Sequence, residues 1–256
     1  MARTHLIIPD VQAKVGHSFE FLSWIGQYIV DHKPDVIVQI GDFADMESLS
    51  EYDKGKKSFE GRRYLKDIEA AKEAMTALLT PIKAAQAKAK RNKEKIYKPR
   101  MVLTIGNHEQ RILRAVNSDP KLEGLIKYED LPYRDWEVHD FLKPVFIDGV
   151  AYSHYFPTGA MGRPCASATT MVNRLHMSCV AGHQQGKQIA YGKRPDGSTI
   201  TAIIAGSCYE HDEGYLDYQS NKHWRGIIVL HEVDNGSFDE MFVSLNYLKK
   251  RYGSVQ

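Results

Sequence analysis

Five stretches of this sequence put carboxylate, amide and imidazole side chains where they can hold a metal ion or move a proton. They are Asp10-Val11-Gln12, Gly41-Asp42-Phe43-Ala44-Asp45, Gly106-Asn107-His108-Glu109, the single His154, and Gly182-His183-Gln184-Gln185. Each follows a largely apolar run. A buried charge needs a partner or a metal, and α/β sheets place their ligands at strand ends. Glycine ahead of the donors lets the backbone turn sharply and keeps Cβ bulk out of a crowded site. Taken singly, a Gly-Asp at a strand end is an ordinary turn, and a histidine on an apolar strand is an ordinary core residue. The ordered set of five points instead to metal-assisted chemistry.

The elements that must position these residues are legible in outline. Leu6–Ile8, Val36–Ile40, Met101–Ile105, Met177–Ala181 and Ile200–Ala205 read as buried strands. Phe19–Val30 has helical spacing and is stopped by Pro34, and Ile112, Leu113 and Val116 suggest a helix after the third donor cluster. Asp148-Gly149, between Val145–Ile147 and Val150–Ser153, marks a hairpin. So does Asn235-Gly236, between Ile227–Val233 and Phe238–Leu245. Ile68, Ala71, Met75, Leu78 and Leu79 predict an amphipathic helix, followed after Pro81 by a second one rich in Ala and Lys. Asp119–Asp140 shows no clear period. With no internal repeat and no low-complexity linker, the economical reading is one α/β domain, sheet packed on sheet with helices outside.

The order of the five clusters resembles the calcineurin-like metallophosphoesterase family, whose pattern runs D-x-H, G-D-x-x-D, G-N-H-[DE], a single His, then G-H-x-H. The match spans Asp10 to Gln185. The resemblance implies a four-layer αββα sandwich of two mixed sheets flanked by helices, and a single domain over residues 1–256. It also implies two divalent metal ions at the strand ends. Asp42 would bridge both ions, Asn107, His154 and His183 would complete the second site, and Asp10 would belong to the first. His108 would be the non-ligand histidine beside the scissile phosphoester, with Asp45 orienting it. The implied reaction is hydrolysis by a hydroxide held between the ions, with His108 as general acid.

Two positions depart from the pattern. Gln12 and Gln185 stand where the family has histidines, and both fall on the first site. Glutamine is a neutral oxygen ligand, so a site of Asp10, Gln12, Asp42 and Gln185 favours Mn²⁺, or Mg²⁺, over Zn²⁺ or Fe. Phage-encoded members of the family share these variants, and the chain is similar to that branch. The rival reading is a non-catalytic scaffold on the same fold, binding protein or nucleic acid.

The 256 residues carry 34 Lys+Arg against 32 Asp+Glu, and this near balance announces no global nucleic-acid or membrane field. Locally, residues 51–100 hold 15 basic and seven acidic side chains, which suggests a basic helical insertion able to overhang the cleft and contact a nucleotide or nucleic acid. His211 and Arg225 are candidate substrate-binding residues. Gly182–Lys187 lacks the spacing of a phosphate loop, and Cys165, Cys179 and Cys208 have no zinc-knuckle spacing. An odd cysteine count and no charged-then-apolar leader predict a reducing, cytoplasmic setting, the host cytoplasm if phage-encoded. No apolar run approaches the ~20 residues that span a bilayer.

Overall fold

The computed structural model describes residues 2–158, 160–212 and 222–253. Among the described residues, eleven strands form two sheets. The first contains β1 (Arg3–Ile8), β2 (Val36–Gln39), β3 (Arg100–Thr104), β4 (Glu137–His139), β10 (Gly226–Asp234) and β11 (Ser237–Ser244), in the order β11-β10-β1-β2-β3-β4. β1 to β4 run parallel, while β10 is antiparallel to β1 and to β11. The second contains β5 (Val145–Ile147), β6 (Val150–Ser153), β7 (Cys179–Ala181), β8 (Gln188–Lys193) and β9 (Thr199–Ile204), ordered β5-β6-β7-β9-β8. There β6, β7 and β9 are parallel and both edge strands antiparallel.

Period-two alternation explains the layering. Ile7, Val36, Val38, Ile40 and Val102 face Val150, Tyr152, Val180 and Ile203 of the second sheet, forming the inter-sheet core. Their neighbours Leu6, Ile8, Ile37 and Leu103 point the other way, onto α1 (Glu20–His32), α2 (Tyr64–Arg91) and α5 (Leu245–Tyr252). The outer face of the second sheet, Ala151, Cys179, Ala202 and Ile204, is covered by Met171 and Val172 of α4 (Ala168–Leu175). Strands buried on both faces read as continuous apolar runs, as they do in the sequence. The result is the four-layer αββα sandwich of mixed sheets. Among the described residues, no helix is long and apolar enough to cross a membrane.

Both hairpins form two-residue turns with left-handed backbone at each central position: Asp148 and Gly149 at φ 50° and 82°, Asn235 and Gly236 at φ 49° and 82°. This is the type I′ geometry that matches strand twist. The two turns interlock, the Gly236 N–H donating to the Asp148 carbonyl at 2.8 Å.

The basic segment departs from expectation. A single 28-residue helix, α2, runs through Pro81 where two helices were predicted. Proline lacks an N–H and crowds the carbonyl four residues back, which normally ends a helix. Here Pro81 is buried against α1, and Ile68, Ala71, Ala74, Met75, Leu78, Leu79 and Ile82 line a continuous apolar stripe that outweighs the local penalty. Contact is closest at Gly26, where a Cβ would lie 2.5 Å from the Leu78 carbonyl oxygen and 2.9 Å from Pro81 Cγ. Four elements had no sequence signal. β4 and β8 are edge strands, and α4 and α5 are eight-residue helices; Ser167 Oγ accepts from the Thr170 N–H and Ser244 Oγ from the Tyr247 N–H at their N-termini.

Helix propensity favours Ala over Gly by about 1 kcal/mol, but forcing a methyl into this contact costs about 1–3 kcal/mol. Gly26→Ala is therefore expected to lower the urea midpoint; an unchanged or raised midpoint would show that the two helices yield freely.

Candidate metal centre

Because β1, β2 and β3 are parallel in one sheet and β6, β7 and β9 in the other, their C-terminal loops meet along one edge. Backbone hydrogen bonds stitch these loops together. The Val11 and Gln12 N–H groups donate to the Asp42 carbonyl at 3.0 and 2.8 Å, Cys208 N–H to the Asp10 carbonyl at 2.7 Å, and Gly182 N–H to the His154 carbonyl at 2.9 Å. Gln12, Asp42, His183 and Gln185 all have left-handed backbone, at φ 45°, 50°, 69° and 55°. Such conformations in residues with a Cβ cost on the order of 1 kcal/mol or more each and concentrate at functional sites.

One cluster of donor atoms results. His154 Nε2 lies 2.9 Å from Asn107 Oδ1 and 3.3 Å from Asp42 Oδ2, and His183 Nδ1 lies 2.7 Å from the same Asn107 oxygen. Ligand atoms of Asp42, His154 and His183 all fall within 4.8 Å of one another. His154 Nδ1 bonds to the Ile40 carbonyl at 3.0 Å, which sets the tautomer and leaves Nε2 as the donor to a metal. Burial opposes charge on His154, but the Asp42 carboxylate outweighs it and raises the imidazole to about 9. Burial also works against the Asp42 charge, and His108 and His154 hold its carboxyl far below the usual range. His183, lowered by burial and then by His154, falls to about 4.

Beside this cluster lies a looser oxygen set. Asp10 is fully buried, and both of its carboxylate oxygens accept the His183 N–H, at 3.1 and 3.0 Å. Burial pushes its carboxyl up to about 7, His154 opposing and Asp42 adding to the rise. Gln185 Oε1 accepts from the Tyr209 hydroxyl at 2.8 Å. Gln12 is 1% exposed, and neither its amide oxygen nor its nitrogen has a hydrogen-bond partner. Burying an unsatisfied amide is expensive, so this side chain fits an additional ligand. Glycine is needed beside both carboxylates: a Cβ on Gly106 would come 2.1 Å from Asp42 Oδ1, and one on Gly182 2.4 Å from Asp10 Oδ1. Donor chemistry and the unpaired amide both suit divalent cations.

Glu109, the last residue of the third donor cluster, is a framework residue. Its buried carboxylate accepts four hydrogen bonds: from the N–H groups of Asp42, Ala44 and Gly106 at 3.1, 2.9 and 2.9 Å, and from the Tyr133 hydroxyl at 2.9 Å. It thereby ties the loop after β2 to the loop after β3.

His108 stands next to the cluster. Its N–H donates to Asp42 Oδ1 at 2.9 Å, its Nδ1 lies 2.6 Å from Asp45 Oδ1, and its Nε2 is 3.7 Å from Asp42 Oδ2. Burial works against the Asp45 charge, but the His108 imidazole prevails and lowers its carboxyl. Gln12, Asp42, Asn107, His108, His183 and Gln185 line a cleft of about 1040 Å³ whose far wall is the chain from Glu47 to Asp67, while Asp10 and His154 lie buried behind them. Only Lys56, Arg62, Arg63 and Lys66, of the 15 basic residues in 51–100, line it; the remainder of α2 packs on α1 instead of overhanging the site. His211 and Arg225 are not among the lining residues. His211 stacks on Tyr209, and Arg225 donates to the Glu210 carbonyl at 2.9 Å and to Asp212 Oδ1 at 3.0 Å. Arg111 does line the cleft, three residues after His108, and sequence reasoning missed it.

No family model matches the chain, and no curated protein matches it. Among solved structures, one aligns over 95% of this chain and 100% of its own, at 12% identity and TM-score 0.42. A second, Yfce, a phosphoesterase from E. coli, aligns over 95% of this chain and 100% of its own, at 11% identity and TM-score 0.37. Likeness this distant carries no functional argument, which rests on the geometry above.

A metal entering the cluster must displace the His154 proton, whereas His183 is already neutral at pH 6. Calorimetric Mn²⁺ titrations are expected to show affinity climbing between pH 6.5 and about 9, with a proton released per ion bound. Affinity independent of pH over that window would remove His154 from the ligand set.

Proposed function

We propose that this protein is a metal-dependent phosphoesterase. The observation that carries the reading is the convergence of Asp42, Asn107, His154 and His183 donor atoms beside a histidine held by its own carboxylate, with Asp42, Asn107, His108 and His183 lining a cleft. Asp42, Asn107, His154 and His183 would hold one divalent cation, and Asp10, Gln12, Asp42 and Gln185 a second, oxygen-rich site that suits Mn²⁺. When bound, such cations supply Lewis-acid polarisation of phosphoryl oxygens and lower the pKa of water.

The remaining chemistry belongs to the chain. Asp45 Oδ1 accepts the His108 Nδ1–H, fixing the ring so that Nε2 faces the cleft. Protonated in the substrate complex, Nε2 is placed to deliver that proton to the leaving oxygen as general acid. Asp42 and Asp45 keep that imidazole readily protonated against the effects of burial and of Arg111. Glu109 accepts three backbone N–H groups and holds the loop geometry behind the cluster.

His108→Ala is expected to lower turnover of an aryl phosphate or aryl diester by about 10²–10⁴-fold while leaving bound Mn²⁺ unchanged. EDTA should abolish activity and Mn²⁺ restore it. Equal activity in the variant, or EDTA-insensitive hydrolysis, would overturn the proposal in favour of the non-catalytic scaffold.

The cleft wall carries Tyr52, 79% exposed under the Lys56 ammonium, with Arg63 and Lys66 among the acids Asp53, Glu60 and Asp67, and a nucleotidic phosphoester is the substrate we propose for it. If two phosphates of a single strand contact Arg63 and Lys66, then Arg63→Glu/Lys66→Glu should reduce the slope of log affinity against log salt by about 1.4. An unchanged slope would remove this wall from substrate binding.

A further inference from the structure

We infer that Arg111 is a phosphate-binding residue that shares one phosphoryl oxygen with His108, an inference that rests on the phosphoesterase reading for its biological meaning. Arg111 opens α3 (Arg111–Ser118), one helical turn after His108, which brings the two side chains to the same face. Its Nη1 donates to the Asp45 carbonyl at 2.7 Å and reaches the Met46 carbonyl at 3.4 Å. Neutral carbonyls fix the plane of the guanidinium without cancelling its charge. The ion pair to Asp45 Oδ1 is long, 3.6 Å, and that oxygen is already engaged by His108 Nδ1 at 2.6 Å.

The other cationic groups near the floor of the cleft are held differently. Lys14 lies 2.7 Å from Glu47, and Arg62 lies 2.9 Å from Asp53 and 3.6 Å from Glu47. Their charge is met by nearby carboxylates. Arg111 Nη2 instead lies 3.2 Å from His108 Nε2, on the side of the ring that faces the cleft and Asp42. Arginine has no acceptor, so at this distance Nη2 donates to an unprotonated Nε2; once the ring takes up a proton the two N–H groups repel, and an oxyanion set against both accepts from each. Arg111 thus occupies the place on Nε2 that a phosphoryl oxygen takes when substrate enters, and it turns to that oxygen as the oxygen arrives. A planar guanidinium beside a tetrahedral oxyanion can make two parallel charge-assisted bonds, where an imidazole offers one. The ligand class is a phosphate monoanion or dianion, or the phosphoryl group of an ester.

The probe is inorganic phosphate, titrated calorimetrically into the Mn²⁺-loaded protein and used as an inhibitor of aryl-phosphate hydrolysis. Arg111→Gln is expected to weaken phosphate binding about ten- to hundredfold, the scale of one charge-assisted hydrogen bond, with Mn²⁺ content unchanged. KM should rise together with the loss in kcat. Arg111→Lys, which keeps the charge and loses the fork, should fall between the two, and it carries the test if Arg111→Gln melts early. Phosphate affinity equal to wild type in both variants, even with altered turnover, would overturn the inference and leave Arg111 as a support for His108. So would wild-type protein that does not bind phosphate. Phosphate binding lost in Arg111→Gln, in a wild-type protein that hydrolyses no phosphoester, would uphold the anion site and sink the phosphoesterase reading alone.

Discussion

The centre depends on one buried carboxylate staying charged. Asp42 is 2% exposed, sits in left-handed backbone, and faces imidazoles on two sides. Isolated in a protein interior, such a charge would neutralise itself. It persists because the His108 N–H, His154 and the tightly turned loops around it offset the desolvation. Everything that approaches the carboxylate must accordingly be small or polar, and Gly106 leaves the volume that a side chain would fill.

Holding that arrangement is the task of groups that never reach a ligand. Glu109 is as buried as Asp42, but its four hydrogen bonds lock three backbone N–H groups and a tyrosine hydroxyl into one node. Two buried carboxylates close together would repel. Asp42 faces imidazoles while burial and the Asp42 charge raise Glu109, so the two are tuned apart by their surroundings. The same division separates Asp42 from Asp10. Backbone strain at Gln12, Asp42, His183 and Gln185 is sustained by the sandwich behind them, whose parallel strands all deliver their ends to one edge.

The cleft is asymmetric. Its floor is rigid sheet-end structure, and its wall is the loop between β2 and α2 together with the first turn of that helix. Charge in the wall is largely paired internally, Arg62 with Asp53 and Lys14 with Glu47, so the local excess of basic residues between 51 and 100 does not translate into an equally basic cleft. Lys72, Lys83, Lys88, Lys90 and Arg91 lie farther along α2, away from the lining.

Local chemistry determined much of this protein. Apolar runs closed by glycine and donor residues marked the strand ends, and Asp-Gly and Asn-Gly marked turns whose geometry only such pairs adopt without strain, since those signals act over a few residues. Pairing over long sequence distances was decided by the tertiary structure alone. Tyr133 meets Glu109 from 24 residues away, Arg111 becomes a cleft residue only once His108 has been turned toward Asp45, and Arg225 is claimed by Glu210 and Asp212 of its own neighbourhood instead of the cleft. Pro81 shows the same contest within one helix: the local rule predicts a break, and burial against Gly26 carries the helix through. The physical reason is common to all of these. A side chain's type states which bonds it can make, while packing settles which partner stands within reach and whether water remains to compete for it.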